Sequence, residues 1–279
     1  MIVSNFRKKE AIPNHIILLI FASIAIFPLL VLVFNSVKPF NEFGLNPLGP
    51  PSSLRFENFS DAWVAGEYAR IFFNSFKLVI GSVFLCLAVS LLAGFSLAKL
   101  NPKGSTIIAV YLLVGISIPA QLYILPLFLL WKELSLLNTH LGLIIIYSAL
   151  NAPFATFLIR SYMIRLPDEL FEASKLDGAN TFQMFFRIAI PLSWPVILTA
   201  GLIIGLAVWN EFLFGSTFSF GKAAPIQVAL NNMVLSSTSV KEYNVDMASA
   251  IIAGIPTLIV YVLAGKYFIR GLTSGAVKG

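Results

Sequence analysis

Charge is what this sequence has least of. Only 11% of its 279 residues are Asp, Glu, Lys or Arg, against 58% hydrophobic residues, where soluble domains carry roughly 25% charged residues. The mean hydropathy is +0.86. A water-soluble globule of this length has too little polar material to cover so large a core. The same shortage excludes a disordered chain and a coiled coil. A single cysteine, Cys86, rules out an intrachain disulfide framework, and its place in an apolar run reads as packing. The two histidines, His15 and His140, stand too far apart in sequence to suggest a metal site, and no Cys/His cluster or nucleophile constellation supports enzyme chemistry. The net charge is +6, but the basic residues sit at the ends of apolar segments. They read as topology signals and not as a nucleic-acid surface.

Apolar runs are what is abundant. A hydrocarbon core about 30 Å thick takes roughly 20 residues of helix. Six runs qualify: Ile16–Phe34, Ile71–Ala98, Ile107–Trp131, Leu141–Tyr162, Ile190–Phe214 and Ala248–Phe268. The expected fold class is therefore an all-α membrane protein with six transmembrane helices. The first run follows Arg7, Lys8 and Lys9 without a small-residue cleavage site, so it reads as a retained anchor. Of the 19 basic residues, twelve fall on the side that holds the termini and the loops Lys99–Ser105 and Met163–Ala189. The positive-inside rule then places both termini in the cytoplasm, as an even number of spans also requires. On this reading residues 1–15 are a cytoplasmic segment, 16–270 the membrane domain and 271–279 a cytoplasmic tail. Lys77, inside the second run, reads as snorkelling outward or pairing with an acidic neighbour. Asn58-Phe59-Ser60 in the first outer loop is formally a glycosylation sequon, a pattern common by chance.

The loop 163–189 carries the densest pattern. Pro167 suits a first helical turn, with Asp168 and Glu169 at its positive end. Lys175 falls in the last turn, and Gly178 is placed to end the helix in the left-handed conformation. Beyond it Phe182, Phe185, Phe186 and Ala189 recur at i, i+3, i+4 and i+7, one apolar stripe. Two short helices with a sharp break between them are expected: a bland interfacial amphipathic helix, or a rigid knob with apolar residues for a cleft and one carboxylate, Glu172, for a polar contact.

Glu172-Ala173-Ser174-Lys-Leu-Asp177-Gly178-Ala, followed by Phe186, Ile188 and Ile190-Pro191, resembles the EAA signature of binding-protein-dependent ABC importer permeases. Ser174 stands for the second Ala of that pattern and Ile190 for its Leu, while the Glu-to-Gly and Gly-to-Ile spacings agree. Ile118-Pro-Ala-Gln, Leu125-Pro-Leu, Leu136-Leu-Asn-Thr-His-Leu-Gly-Leu, Trp209-Asn-Glu-Phe and the ending from Tyr267 are similar to the carbohydrate-importer branch. The resemblance implies a pore made with a second permease subunit, two cytoplasmic ATPase subunits and an extracytoplasmic sugar-binding protein, in a bacterial or archaeal cytoplasmic membrane. It implies that Glu172, Ala173, Ser174, Asp177, Gly178, Phe182, Phe185 and Phe186 form a cytoplasmic coupling elbow, between spans four and five, that sits in a cleft of an ATPase. This chain would hold no cofactor, and ATP and Mg²⁺ would bind to the ATPase partners. The nearest phosphate-loop lookalike, Gly215 to Gly221-Lys222, has five intervening residues instead of four and Ala223 where Ser or Thr is needed.

Two further groups carry readings. Trp209, Asn210 and Glu211 lie near the outer half of span five, where an ionisable side chain is costly. They either line the sugar path or form a polar cluster at a helix end that bonds the partner permease. Gly201 and Gly205 form a small-residue pair suited to close packing at the subunit interface. A secondary transporter would need coupling carboxylates in the spans and repeated halves. Apart from Glu211 the spans carry almost no acid, and no repeat is visible.

Overall fold

A computed structural model describes residues 2–236 and 242–276, with side chains for 14–235 and 242–265. The last residues of the expected tail, 277–279, lie outside the described residues. The described residues form helices joined by turns, without a strand. In chain order these are α1 (Ile2–Ser36), α2 (Glu57–Ala65), α3 (Tyr68–Phe95), α4 (Ser105–Ser117), α5 (Ile124–Glu133), α6 (His140–Met163), α7 (Asp168–Leu176), α8 (Thr181–Met184), α9 (Ile190–Leu192), α10 (Trp194–Trp209), α11 (Leu213–Phe218), α12 (Ile226–Ser236) and α13 (Tyr243–Ala276). Wide π-turns continue α3 through Ser96–Leu100 and join α8 to α9 through Phe185–Ala189.

Four stretches are long and apolar enough to cross a membrane: Asn14–Ser36, Tyr68–Leu100, His140–Met163 and Tyr243–Gly265. A fifth candidate is a bent pair, Thr181–Leu192 and Trp194–Trp209, at 75° to each other. The expected third span, Ile107–Trp131, is not one helix. It divides into α4 and α5, with Ile118 and Pro119 extended between them. Proline lacks the N–H that would bond back one turn, and it drives the preceding residue out of the helical region. The expected fifth span, Ile190–Phe214, is shorter at both ends. The bend falls at Ser193, just before Pro195, and the helix stops at Trp209. Pro191 lies inside α9, ahead of the bend.

The chain divides into two compact units. The first comprises residues 1–68 and 230–255. Its apolar side chains from Ile16 to Leu30 are exposed along α1, whereas Asn35, Ser36 and Lys38 at the end of that helix are buried. The Lys38 ammonium has no carboxylate partner among the described residues and donates instead to Asn35 Oδ1 at 2.9 Å and to the Asn46 carbonyl at 2.5 Å. Asn58 is fully buried and donates to the carbonyls of Ser36 and Lys38, both at 2.9 Å. That placement removes the sequon's asparagine from solvent and makes Asn58 the clamp that fastens α2 to the end of α1.

The second unit comprises residues 69–229 and 256–279 and holds two hydrophobic cores. One gathers Leu78, Ile146, Tyr147, Ala200, Ile204, Phe214 and Phe218 from α3, α6, α10 and α11. The other gathers Phe95, Ile159, Met163, Phe171, Met184, Phe185 and Val196 around α7 and α8. Close approach of α3 to α6 depends on glycine. A Cβ on Gly94 would stand 2.8 Å from Ile159 Cγ2 and 3.2 Å from the Arg160 nitrogen. At the start of α6 the Thr139 hydroxyl caps Gly142 N, and a Cβ on Gly142 would strike the Leu136 carbonyl at 2.2 Å.

Candidate functional site

The turn between α7 and α8 is fixed by two linked caps. Gly178 takes φ +82. The Gly178 N–H donates to the Lys175 carbonyl at 3.0 Å and the Ala179 N–H to the Ser174 carbonyl at 2.9 Å. This is the paired bonding of a Schellman motif, which satisfies carbonyls that a helix end otherwise leaves open. Two residues on, a capping box opens α8: Asn180 Oδ1 accepts from Gln183 N at 2.9 Å, and Gln183 Oε1 accepts from Asn180 N at 2.8 Å. Sequence reasoning found Gly178 and missed the box, although Asn-x-x-Gln is a signal of that motif.

The expected apolar stripe divides. Phe182 and Phe186 are 71% and 60% exposed, while Phe185 is 4% exposed and Ala189 is buried. Phe185 packs on Phe95, with ring centroids 5.3 Å apart, and belongs to the inner core. Phe185 therefore backs the surface and does not face outward. On a helical wheel Phe185 and Ala189 form one half of the stripe and Phe182 and Phe186 the other, so the edge of the core runs down its middle. Leu176, not singled out from sequence, is the most exposed large apolar residue here, at 90%. Glu172, Ala173, Asp177 and Gly178 are exposed, and Ser174 turns its hydroxyl back to the Phe171 carbonyl at 2.8 Å. Beside the turn lies a notch of about 390 Å³ lined by Ser174, Asp177, Gly178, Ala179, Gln183, Arg187 and Ile188.

This helix pair is held from the end of α3. Lys99, whose side chain is almost wholly covered, donates to Asp168 Oδ1 and to the Leu166 carbonyl, both at 2.6 Å, and lies over the Phe171 ring. Sequence reading gave Lys99 only a topological role.

The Trp209–Glu211 group is not one cluster of exposed polar atoms. Trp209 is buried against Phe72 and Phe76, with centroids at 5.7 and 5.4 Å. Glu211 turns forward: its carboxylate accepts from the N–H groups of Phe214 at 2.8 Å and Gly215 at 3.0 Å, capping the first turn of α11. Its carboxylate also faces the buried Tyr147 hydroxyl, which has no partner in bonding geometry among the described residues. Asn210 is exposed and donates to the Leu206 carbonyl at 2.9 Å. Gly201 and Gly205 face α3 without crowding. A Cβ on either would lie 3.6 Å or more from Val79, Val83 and Leu87, and both glycines line an apolar cavity of about 490 Å³ with residues of α3 and α13.

Comparison with known proteins gives this geometry its context. Residues 87–270 match the family described as binding-protein-dependent transport system inner membrane component. The chain is 33% identical over 253 residues to the probable ABC transporter permease protein YurM of Bacillus subtilis (strain 168), across 91% of this chain and 84% of that protein. It is 34% identical over 265 residues to the arabinooligosaccharides transport system permease protein AraQ of Halalkalibacterium halodurans, across 92% and 93% respectively. In fold it is similar to a chain of a solved bacterial ABC transporter involved in the import of the acidic polysaccharide alginate, with a TM-score of 0.82 over 94% of this chain and 97% of that one at 22% identity. The family match contains both interrupted helices and the whole α7–α8 turn, and the relatives align over most of their length; the chain belongs to the binding-protein-dependent transport system inner membrane components, the permease subunits of ABC transporters.

Proposed function

We propose that this chain is one of two permease subunits in an ATP-driven importer that moves a sugar or oligosaccharide into the cytoplasm by alternating access. The observation that carries the coupling half of this reading is the doubly capped α7–α8 turn, which holds Leu176, Phe182 and Phe186 exposed around Glu172. Apolar side chains held outward on a rigid frame suit insertion into a cleft better than contact with water. The turn is the cytoplasmic coupling elbow between spans four and five, and the cleft belongs to an ATPase subunit, two of which bind ATP and Mg²⁺. Glu172 pairs there with a basic or amide group. Ala173, Ser174, Asp177 and Gly178 shape the contact, and Phe185 braces it from behind. The saccharides named for AraQ and for the alginate transporter support the substrate class, and an extracytoplasmic binding protein delivers the solute.

The same reading gives six spans with both termini in the cytoplasm: α1, α3, the interrupted α4–α5, α6, α10 and α13, with 271–279 as a cytoplasmic tail. It keeps Asn210 beside the solute path, with Glu211 holding the local fold and Trp209 packed behind it. The subunit-packing role of Gly201 and Gly205 belongs to the same proposal. The test is purification of the tagged chain in mild detergent with its companions identified by mass spectrometry. A second permease, an ATPase and a binding protein are expected with the parent chain, and Leu176→Ser/Phe182→Ser is expected to lose the ATPase while retaining the second permease. A double variant that keeps the ATPase would overturn the docking assignment, and a parent chain that purifies alone would overturn the importer itself.

A further inference from the structure

Two of the helix interruptions in the second unit lie at the same level. Tyr123 closes the break between α4 and α5, and its ring centroid is 6.2 Å from that of Phe214, at the start of α11. Further along, Phe218 of α11 meets Phe128 at 5.8 Å and Trp131 at 6.5 Å, both on α5. Successive contacts in the same order set α5 and α11 side by side and parallel. The gap before α5, residues 118–123, therefore stands level with the gap before α11, residues 210–212.

That level falls at the middle of its span. Pro119 is the midpoint between the first residue of α4, Ser105, and the last of α5, Glu133. Backbone that leaves the helix at such depth is tolerated only when it is buried in protein or lines a water-filled cavity. Burial within this chain is not the answer. Ile118 and Leu122 are 47% and 71% exposed, and Gln121 is exposed with no hydrogen-bond partner among the described residues. On the level of the second gap, Asn210 is exposed and its side-chain carbonyl accepts no bond among the described residues. The nearby charge of Glu211 is engaged by the N-terminus of α11. What the level presents is uncharged amide, which both donates and accepts.

We propose that Gln121 is a solute-contacting residue, binding hydroxyl groups of a neutral polyhydroxylated solute as it passes the broken third span. The assignment rests on the importer reading above. A primary amide offers two donors and two acceptor sites, matching hydroxyls that do the same, whereas a single-sign charge at this depth would favour an ionised solute.

The experiment uses the full transporter in membrane vesicles, in a Cys86→Ala background. Gln121→Cys is treated with a small water-soluble thiol reagent with and without the solute carried by the binding protein, and solute taken up per ATP hydrolysed is measured for Gln121→Ala and Gln121→Asn. Labelling of the cysteine is expected, and solute should protect it. Uptake per ATP should fall roughly three- to tenfold for Gln121→Ala, the value of one lost hydrogen bond, and less for Gln121→Asn, which keeps the amide. Labelling by lipid-soluble reagents alone, absence of labelling, or uptake per ATP equal to the parent in both variants would overturn the assignment and hand this surface to lipid or to the partner permease. Failure of the importer reading is separately visible, because ATP hydrolysis by the parent complex would then not respond to the loaded binding protein.

Discussion

Single residues here carry unequal loads for reasons of backbone and packing. Gly178 has open space where a Cβ would stand, so substituting it tests conformation alone. Gly178→Ala should lower stability by about 1–2 kcal/mol, the cost of a side chain in the left-handed region, read as the midpoint of thermal unfolding in detergent. Glu211→Ala removes the acceptor for two N–H groups of α11, and a loss of about 1–2 kcal/mol is expected by the same measurement. Glu211→Gln should lose less, since one oxygen remains to accept. The glycines separate in the opposite direction from their appearance in sequence. Gly94→Ala meets α6 backbone and should destabilise by about 1–3 kcal/mol. Gly201→Ala has room, and removing a helical glycine should leave stability level or raise it by up to about 1 kcal/mol. A melting series that ranked Gly201 above Gly94 would contradict this packing.

At the scale of elements, the α7–α8 pair shows what a sequence tells and what it hides. Its caps are local events written in adjacent letters, and Gly178 was legible because few other residues suit φ +82. Phe185 and Phe186 are neighbours of one type, and no local signal says that the first faces the core and the second faces out. Their separation depends on contact with Phe95, ninety positions earlier. The broken third span was visible only as Pro119, a residue that membrane helices often tolerate, and its length and composition fit one continuous helix. The tie from Lys99 to Asp168 spans 69 residues and has no sequence signature. Because Asp168 is exposed, Asp168→Asn should change stability by less than about 1 kcal/mol. Lys99→Ala should cost more, since the side chain is covered and its ammonium lies over the Phe171 ring and also holds the Leu166 carbonyl. Thermal unfolding of the two variants in one detergent compares them directly.

For the molecule as a whole, the count of crossings is the quantity to measure. Reporter fusions at 35–45, 101–104, 135–139, 164–167 and 220–224 should alternate between the two sides of the membrane, beginning outside. Equal reporter activity on both flanks of α4–α5 would remove one span and reverse every assignment beyond it. The 75° bend at Ser193 has a mechanical consequence of its own. If the arm through α8 and α9 is pushed along its length, only about a quarter of that displacement, the cosine of the bend, lies along α10, and the rest sweeps the helix sideways. The joint therefore works as a crank, turning a thrust along one arm into lateral travel of the other, so a pore built on it would open by parting its walls rather than by sliding a piston.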